Sequence, residues 1–311
     1  MGKAARTKTS ARRAPAKPPP GRTQARHTPW RWIGVGIAVV AAAAALVIWQ
    51  TGRGGGAGTQ APAALTHIHG LGINPADGKL YVATHDGLYQ LPADSGPPRL
   101  VGQTRQDTMG FTIAGPNVFL ASGHPAPSQG GPPHLGLIES GDAGSTWKTL
   151  SLSGQADFHA LRFRHNTVYG YNSVRGQLIA STDKATWQTR AAMALRDFDV
   201  SPTDPRILLA TTETGLQRST DGGATWSPAG GPPLVLLAWQ TADRLWGIST
   251  TGDILRSADG GTSWNPSGKL AGQATAFAAY EGKLYAAVHE QGIYDSGDGG
   301  GTWTQLYRQA G

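Results

Sequence analysis

From about residue 65 onward the chain alternates short apolar runs with polar, glycine-rich breaks, and no helical period competes with this pattern. Runs such as "KLYVAT" and "TIAGPNVFLAS" have the period-2 alternation of β-strands, which sends successive side chains to opposite faces. The runs come in groups. "RDFDVSP" is followed by "RILLATTETGLQRS" and then a glycine-rich break, and "GKLYAAVHEQGIYDS" leads into a similar break. Each group predicts strand A, strand B, strand C, a turn and strand D. Six such units fall at about 66–105, 106–150, 155–190, 191–230, 231–268 and 269–308. The second is swollen between its B and C strands by the Pro/Gly-rich loop "SGHPAPSQGGPPHLG".

The breaks share a phrase. It reads "SGDAGSTW" from Ser140, "STDGGATW" from Ser219, "SADGGTSW" from Ser257 and "SGDGGGTW" from Ser296, with a shortened copy, "STDKATW", from Ser181. The markers are Asp142 and Trp147, Asp183 and Trp187, Asp221 and Trp226, Asp259 and Trp264, and Asp298 and Trp303. The tryptophans step by 40, 39, 38 and 39 residues. A fixed period near 40 with strand content is the mark of propeller blades, because a lone blade cannot bury both faces and a ring of blades buries each against the next. The expected fold is therefore all-β, a six-bladed β-propeller over 66–308.

The phrase suits a turn. Asp-Gly and Gly-Gly admit the positive φ of tight connections, Ser and Asp side chains accept from the loop's own N–H groups, and Trp is an apolar plate to set against the blade. It resembles the Asp-box, or BNR repeat, of sialidases, other glycosidases, sortilin-like receptors and photosystem II assembly-factor propellers. "HIHGL" in the first unit, after an apolar segment, also resembles a bacterial membrane-anchored family named glycosylhydrolase-like. The resemblance implies a propeller with structural boxes on the blade periphery, away from the mouth. A sialidase would further carry three arginines around a carboxylate and an F-R-I-P motif. "RFRHN" and "DPRIL" are not that motif, and Arg162 and Arg164 fall inside a strand, off register for the mouth.

The beginning of the chain follows another pattern. Residues 33–49 are 17 uncharged, mostly apolar positions, bracketed by Trp30, Trp32 and Trp49. This approaches the roughly 20 residues of a membrane-spanning helix with an aromatic belt. The run exceeds the apolar core of a cleaved signal peptide, and the nearest small-residue site, Ala61-Pro62-Ala63, lies well beyond it. The expectation is an uncleaved signal anchor over 30–50, a basic disordered tail over 1–29 and a Gly-rich linker over 51–65.

Charge sets the orientation. Residues 1–53 hold ten Lys/Arg and no acid, leaving 17 basic against 20 acidic residues after them. By the positive-inside rule the tail is cytoplasmic and the propeller extracytoplasmic, in a single-pass cell-membrane protein. The formal net charge of +7 thus belongs to the tail, and no nucleic-acid footprint is expected on the propeller. The chain has no cysteine, which excludes disulfides, thiolate metal sites, cysteine catalysis and lipidated-cysteine anchors.

Two kinds of chemistry are open at the propeller mouth. A glycosidase needs two carboxylates, and the acids that strand ends bring there include Asp86, Asp157, Asp197, Glu213 and Glu290. The histidines are the other candidates. His69 and His159 sit at equivalent starts of A strands, while His85, His124 and His289 sit at ends of B strands, so all five are expected around one opening. Imidazole suits a transition metal such as zinc or copper, with carboxylates such as Asp86 or Glu290 able to join. His134 falls in the long loop of the second unit and His165 at a turn. The functional expectation is a binding or assembly module for a glycan, cell-wall or protein partner. The alternatives are a glycoside hydrolase of the sialidase-like superfamily and a metal-binding propeller.

Overall fold

The computed structural model describes residues 1–2, 65–93 and 96–309. The predicted tail from residue 3, the anchor and all but the last residue of the predicted linker lie outside the described residues. Among the described residues no helix is long and apolar enough to cross a membrane.

The described chain from Leu65 is an all-β ring of six four-stranded antiparallel sheets, each made of four consecutive strands. The innermost strands are β1 (Ile68–Ile73), β5 (Asp107–Gly115), β9 (Phe158–Arg164), β13 (Asp197–Val200), β17 (Leu234–Thr241) and β21 (Ala274–Tyr280). Each packs against the next, and β21 packs against β1, which closes the ring. The six units read from the sequence are these six blades.

Burial is lowest in the outermost strand of each blade. The second strand of blade one, β2 (Leu80–Thr84), is buried at every position, whereas the outer strand of blade four, β16 (Ser227–Pro228), is exposed at both. A sheet covered on both faces favours near-continuous apolar runs, so the alternation read in "KLYVAT" does not hold: Leu80–Thr84 are all buried. Between blades two and three, Leu120 and Leu137 meet Phe158, Leu161 and Val168. The joint between blades six and one is sealed the same way, by Ala276, Ala287 and Ile293 against Leu65, Ile68, Val82 and Tyr89. Among the described residues no strand is exchanged across it. Leu65 is fully buried there, and its N–H donates to the Tyr307 hydroxyl at 3.0 Å.

The repeated phrase is a closed hydrogen-bonded turn between the third and fourth strands. In blade four the Ser219 hydroxyl donates to Asp221 Oδ1 at 2.8 Å and accepts from the Gly223 N–H at 2.8 Å. Asp221 also accepts from the Thr225 N–H at 2.9 Å and its hydroxyl at 2.5 Å. The shortened copy keeps only part of this, Ser181 to Asp183 at 2.9 Å and the Thr186 N–H to Asp183 at 2.7 Å.

The turns also join blades. Gly261 has a φ of 89°, and a Cβ on it would lie 2.4 Å from the Leu209 side chain of the preceding blade. Arg218 donates to the Gly260 carbonyl at 2.6 Å, and Ser267 to that of Gly299 at 2.6 Å, each reaching from one blade into the turn of the next. Trp187 stacks on Phe158 with centroids 5.1 Å apart and donates to the Ser151 hydroxyl of blade two at 2.9 Å.

Candidate metal centre at the propeller mouth

A recurring irregularity brings the site together. Near the start of β1, β5, β9 and β21 the pairing with the next strand skips one residue: His69, Met109, His159 and Thr275. Each is the unpaired residue of a β-bulge, which turns its side chain out of the ladder. All four, with Arg196, line one cavity of about 150 Å³ on the ring axis. The sequence sets His69 and His159 at equivalent strand starts. The bulges were not foreseen.

Around this opening the histidines gather on two aspartates. Asp107 opens β5 and pairs across the ladder with His124, the last residue of β6 (Val118–His124). Gly123 is required beside them, because a Cβ there would lie 1.9 Å from the Asp107 carbonyl. Asp107 Oδ2 is 3.1 Å from His124 Nδ1 and 3.1 Å from His85 Nδ1, and Oδ1 is 3.7 Å from His69 Nε2. Asp157, immediately before β9, has its Oδ2 2.8 Å from His159 Nε2 and 3.5 Å from His124 Nε2. His134 comes in from the blade-two insertion, its ring centroid 5.5 Å from that of His124.

Two sets of three result. In His69, His85 and Asp107, and again in His124, His134 and Asp157, one ligand atom from each residue lies within 4.8 Å of the other two. With metal–ligand bonds of about 2.0–2.2 Å, neighbouring donors around a tetrahedral ion stand roughly 3.3 Å apart, so the 3.1 and 3.7 Å separations are of coordination size.

The electrostatics fit ligands better than ion pairs. Burial lowers the His69 pKa to about 4, outweighing the pull of Asp107, with His85, His67 and His159 adding to the depression. His69 is therefore neutral at pH 7, and 3.7 Å is beyond hydrogen-bond length. His69 Nε2, Asp107 Oδ1, His134 Nδ1 and Asp157 Oδ1 are all buried, and none has a hydrogen-bond partner among the described residues. Buried polar groups are normally satisfied. Here one nitrogen and one carboxylate oxygen in each set are left over, the donors a cation takes. Burial raises the Asp157 carboxyl, but the His159 hydrogen bond, the His159 and His124 charges and the Ser173 hydroxyl hold it below its ordinary range.

The other candidates are placed differently. His289 is 3.7 Å from Glu290 and belongs to neither set. It shares with His67, His69, Arg196 and Glu290 the lining of a cavity of about 290 Å³ beside the cluster. Asp86 accepts from the Thr66 hydroxyl at 2.6 Å. Glu213 and Glu290 are exposed, the latter at 81%. Asp197 is buried beside the axial cavity, where Arg162 holds it at 2.6 Å and the Leu237 N–H donates to it at 2.8 Å. Arg162 therefore corrects the sequence reading that set it off the mouth: it lines the axial cavity.

Sequence reasoning missed Asp107 and left His134 outside the site. A signal for Asp107 was present. "DTM" at 107–109 and "DFH" at 157–159 set an Asp two residues before the bulged position in consecutive blades.

No protein-family model matches the chain. Over 163 residues it is 32% identical to a xyloglucanase of Paenibacillus sp, an alignment covering 42% of this chain and 13% of that protein. Among solved structures, an ancestral GH74 enzyme superposes with a TM-score of 0.53 at 13% identity, over 80% of this chain and 40% of the other. The GH74 xyloglucanase from Xanthomonas campestris gives 0.52 at 17% identity, over 78% and 46%. A chain of a nidogen/laminin complex gives 0.58 at 10% identity, over 74% and 95%. This chain thus spans less than half the length of the xyloglucanase relatives it matches. What it has in common with the solved structures is the propeller fold.

Proposed function

We propose that this chain is a membrane-anchored, extracytoplasmic binding module whose propeller mouth captures a transition-metal ion, zinc or copper, through His69, His85 and Asp107. The carrying observation is the facing pair His69 Nε2 and Asp107 Oδ1, both buried and both without a partner. A neutral imidazole and a carboxylate that face each other without a shared proton leave their lone pairs free for a cation. Imidazole and carboxylate donors suit zinc and copper(II), and the absence of cysteine removes the thiolate alternative. The anchor over 30–50 and its basic flank support the location. The cavity beside the cluster leaves space for a group of a glycan, cell-wall or protein partner to approach the ion.

The test is isothermal titration of the full-length chain, in detergent and stripped by a chelator, with Zn(II) and Cu(II). Binding tighter than about 10 μM is expected, roughly 7 kcal/mol. It should be lost in the Asp107→Asn/Asp157→Asn double variant. Absence of such binding, or a double variant that binds as well, overturns the reading.

One observation favours a second reading, a glycoside hydrolase: the 163-residue similarity to a xyloglucanase. The residues weigh against it. Asp197 is saturated and Asp86, Glu213 and Glu290 are exposed, while Asp107 and Asp157 stand on either side of His124. Hydrolysis of aryl glycosides by the chelator-stripped chain, abolished in Asp107→Asn, would establish it in place of the first.

A further inference from the structure

The mouth holds more donors than one ion takes. We infer that it is a paired centre, with a second ion at His124, His134 and Asp157, coupled to the first through the His124 ring. This rests on reading the mouth as a metal site, but on different residues.

Three observations carry it. The second set has its own unsatisfied donors, His134 Nδ1 and Asp157 Oδ1. His134 is delivered by an insertion tied down at His134 and at the next residue: the Gly154 N–H donates to the His134 carbonyl at 2.8 Å, and the Leu135 N–H to the Gly123 carbonyl at 2.8 Å. The loop thus returns to the mouth and sets an imidazole there. Third, His124 Nδ1 stands 3.1 Å from Asp107 Oδ2 while its Nε2 faces Asp157 Oδ2 at 3.5 Å. With the Nδ1 proton given to Asp107, the Nε2 lone pair is left for an ion.

A metal-bound imidazole commonly donates its other N–H to a carboxylate, which fixes the ring and raises its basicity. Here that carboxylate is itself a ligand of the first ion. An ion on Asp107 draws charge from it, weakens its bond to His124 and makes His124 a poorer donor to the second ion. Repulsion between the two cations acts in the same direction. The two ions therefore bind in steps, the second roughly tenfold more weakly, within the usual range of coupling between sites.

The experiment loads the chelator-stripped full-length chain with Cu(II). Metal content after desalting, calorimetry and electron paramagnetic resonance are the readouts. The expected result is two ions per chain in two steps, with a half-field signal from paired copper(II) at the second equivalent. His134→Ala should hold one ion, with the first step unchanged and no half-field signal. His69→Ala/His85→Ala should also hold one, bound more tightly than the second ion of the unsubstituted chain. A single ion that is lost in His69→Ala/His85→Ala and indifferent to His134→Ala overturns the second site and leaves the first. Two ions of equal, independent affinity overturn the coupling. No bound copper overturns both readings of the mouth.

Discussion

Two pairs of buried aspartates serve the same ring and are satisfied in opposite ways. On the side of blade four, Asp197 holds Arg162 on one oxygen and the Leu237 N–H on the other. Asp199 takes the Val200 and Trp239 N–H groups, each at 2.8 Å. All four oxygens have a partner from the chain. Across blades two and three, Asp107 is mostly buried and Asp157 buried, at 13% and 6% exposure, yet each keeps one oxygen that no described residue satisfies. Burial alone therefore does not separate a structural carboxylate from a candidate ligand. The separation lies in whether the fold supplies every partner, and at Asp107 and Asp157 it supplies imidazoles and leaves the rest open.

The contrast breaks most visibly at Arg162. Burial opposes this cation, and Asp197 and Asp199 outweigh it, raising its pKa above the ordinary value. Arg162→Met leaves two buried carboxylates without their cation, and removing one partner of such a pair costs about 3–5 kcal/mol. Urea denaturation of the chelator-stripped protein should register a loss of that size. A variant as stable as the parent would show that the blade-four network is no more complete than the mouth.

The opposite outcome is expected at the mouth. In Asp107→Asn and Asp157→Asn the amide oxygen can keep the contacts of Oδ2 and the amide nitrogen replaces the oxygen that lacks a partner, so without metal each should cost only about 1 kcal/mol, well below Arg162→Met. With an ion at 100 times its dissociation constant, the parent should gain about 2.7 kcal/mol that the Asp107→Asn/Asp157→Asn double variant does not. Thermal melts with and without Zn(II) measure this. Equal gains in both proteins would place the ion elsewhere.

These differences mark what a reader of the sequence could reach. The tryptophan period gave the ring and its six blades, because each blade repeats one turn at one distance. The same alignment gave the level of His69 and His159, since equivalent positions of a repeat lie on one circle. Asp107 stayed hidden. Alone at the head of a strand it reads as a solvated acid, and its role depends on the cross-ladder partner His124 and on the bulge after it. Bulges are set by pairing between strands, which a single strand's pattern does not encode. His134 stayed hidden because loop composition gives length, not the path that brings the chain back. The turns were legible as turns. Their grip on the preceding blade was not, because it depends on glycines facing side chains about fifty residues away in sequence, as Gly261 faces Leu209.

That grip gives a smaller effect, independent of metal. The Ser219 hydroxyl is buried, accepts from the Gly223 N–H and donates to Asp221. Ser219→Ala leaves a buried N–H unpaired and should cost about 1–2 kcal/mol in urea denaturation. Zn(II) and Cu(II) titrations of this variant should match the parent. Loss of metal binding there, with the fold intact, would mean that the turns and the mouth are not separate devices.

The smallest effect is expected from acid. Hydrogen bonds from the side chains and N–H groups of Thr225, Ser263 and Thr302 hold Asp221, Asp259 and Asp298 each at a pKa of about 2, against 3.8 for the free side chain. A carboxyl whose pKa is lower in the folded state binds fewer protons there than in the unfolded chain, so its contribution is present above the unfolded value and is lost as pH falls through the folded one. Stability of the chelator-stripped protein should accordingly fall between about pH 4 and pH 2, below the window from about pH 6.5 to pH 4 in which protonation of His69, its folded pKa lowered to about 4, acts against the fold. These carboxylates are exposed, and salt screens the charge component of their bonds, so the slope should be shallow and shallower at high ionic strength. Urea midpoints at stepped pH measure it. Replacing Asp221, Asp259 and Asp298 together by Asn should flatten the slope, and a slope unchanged by that replacement would assign the acid sensitivity to the buried aspartates instead.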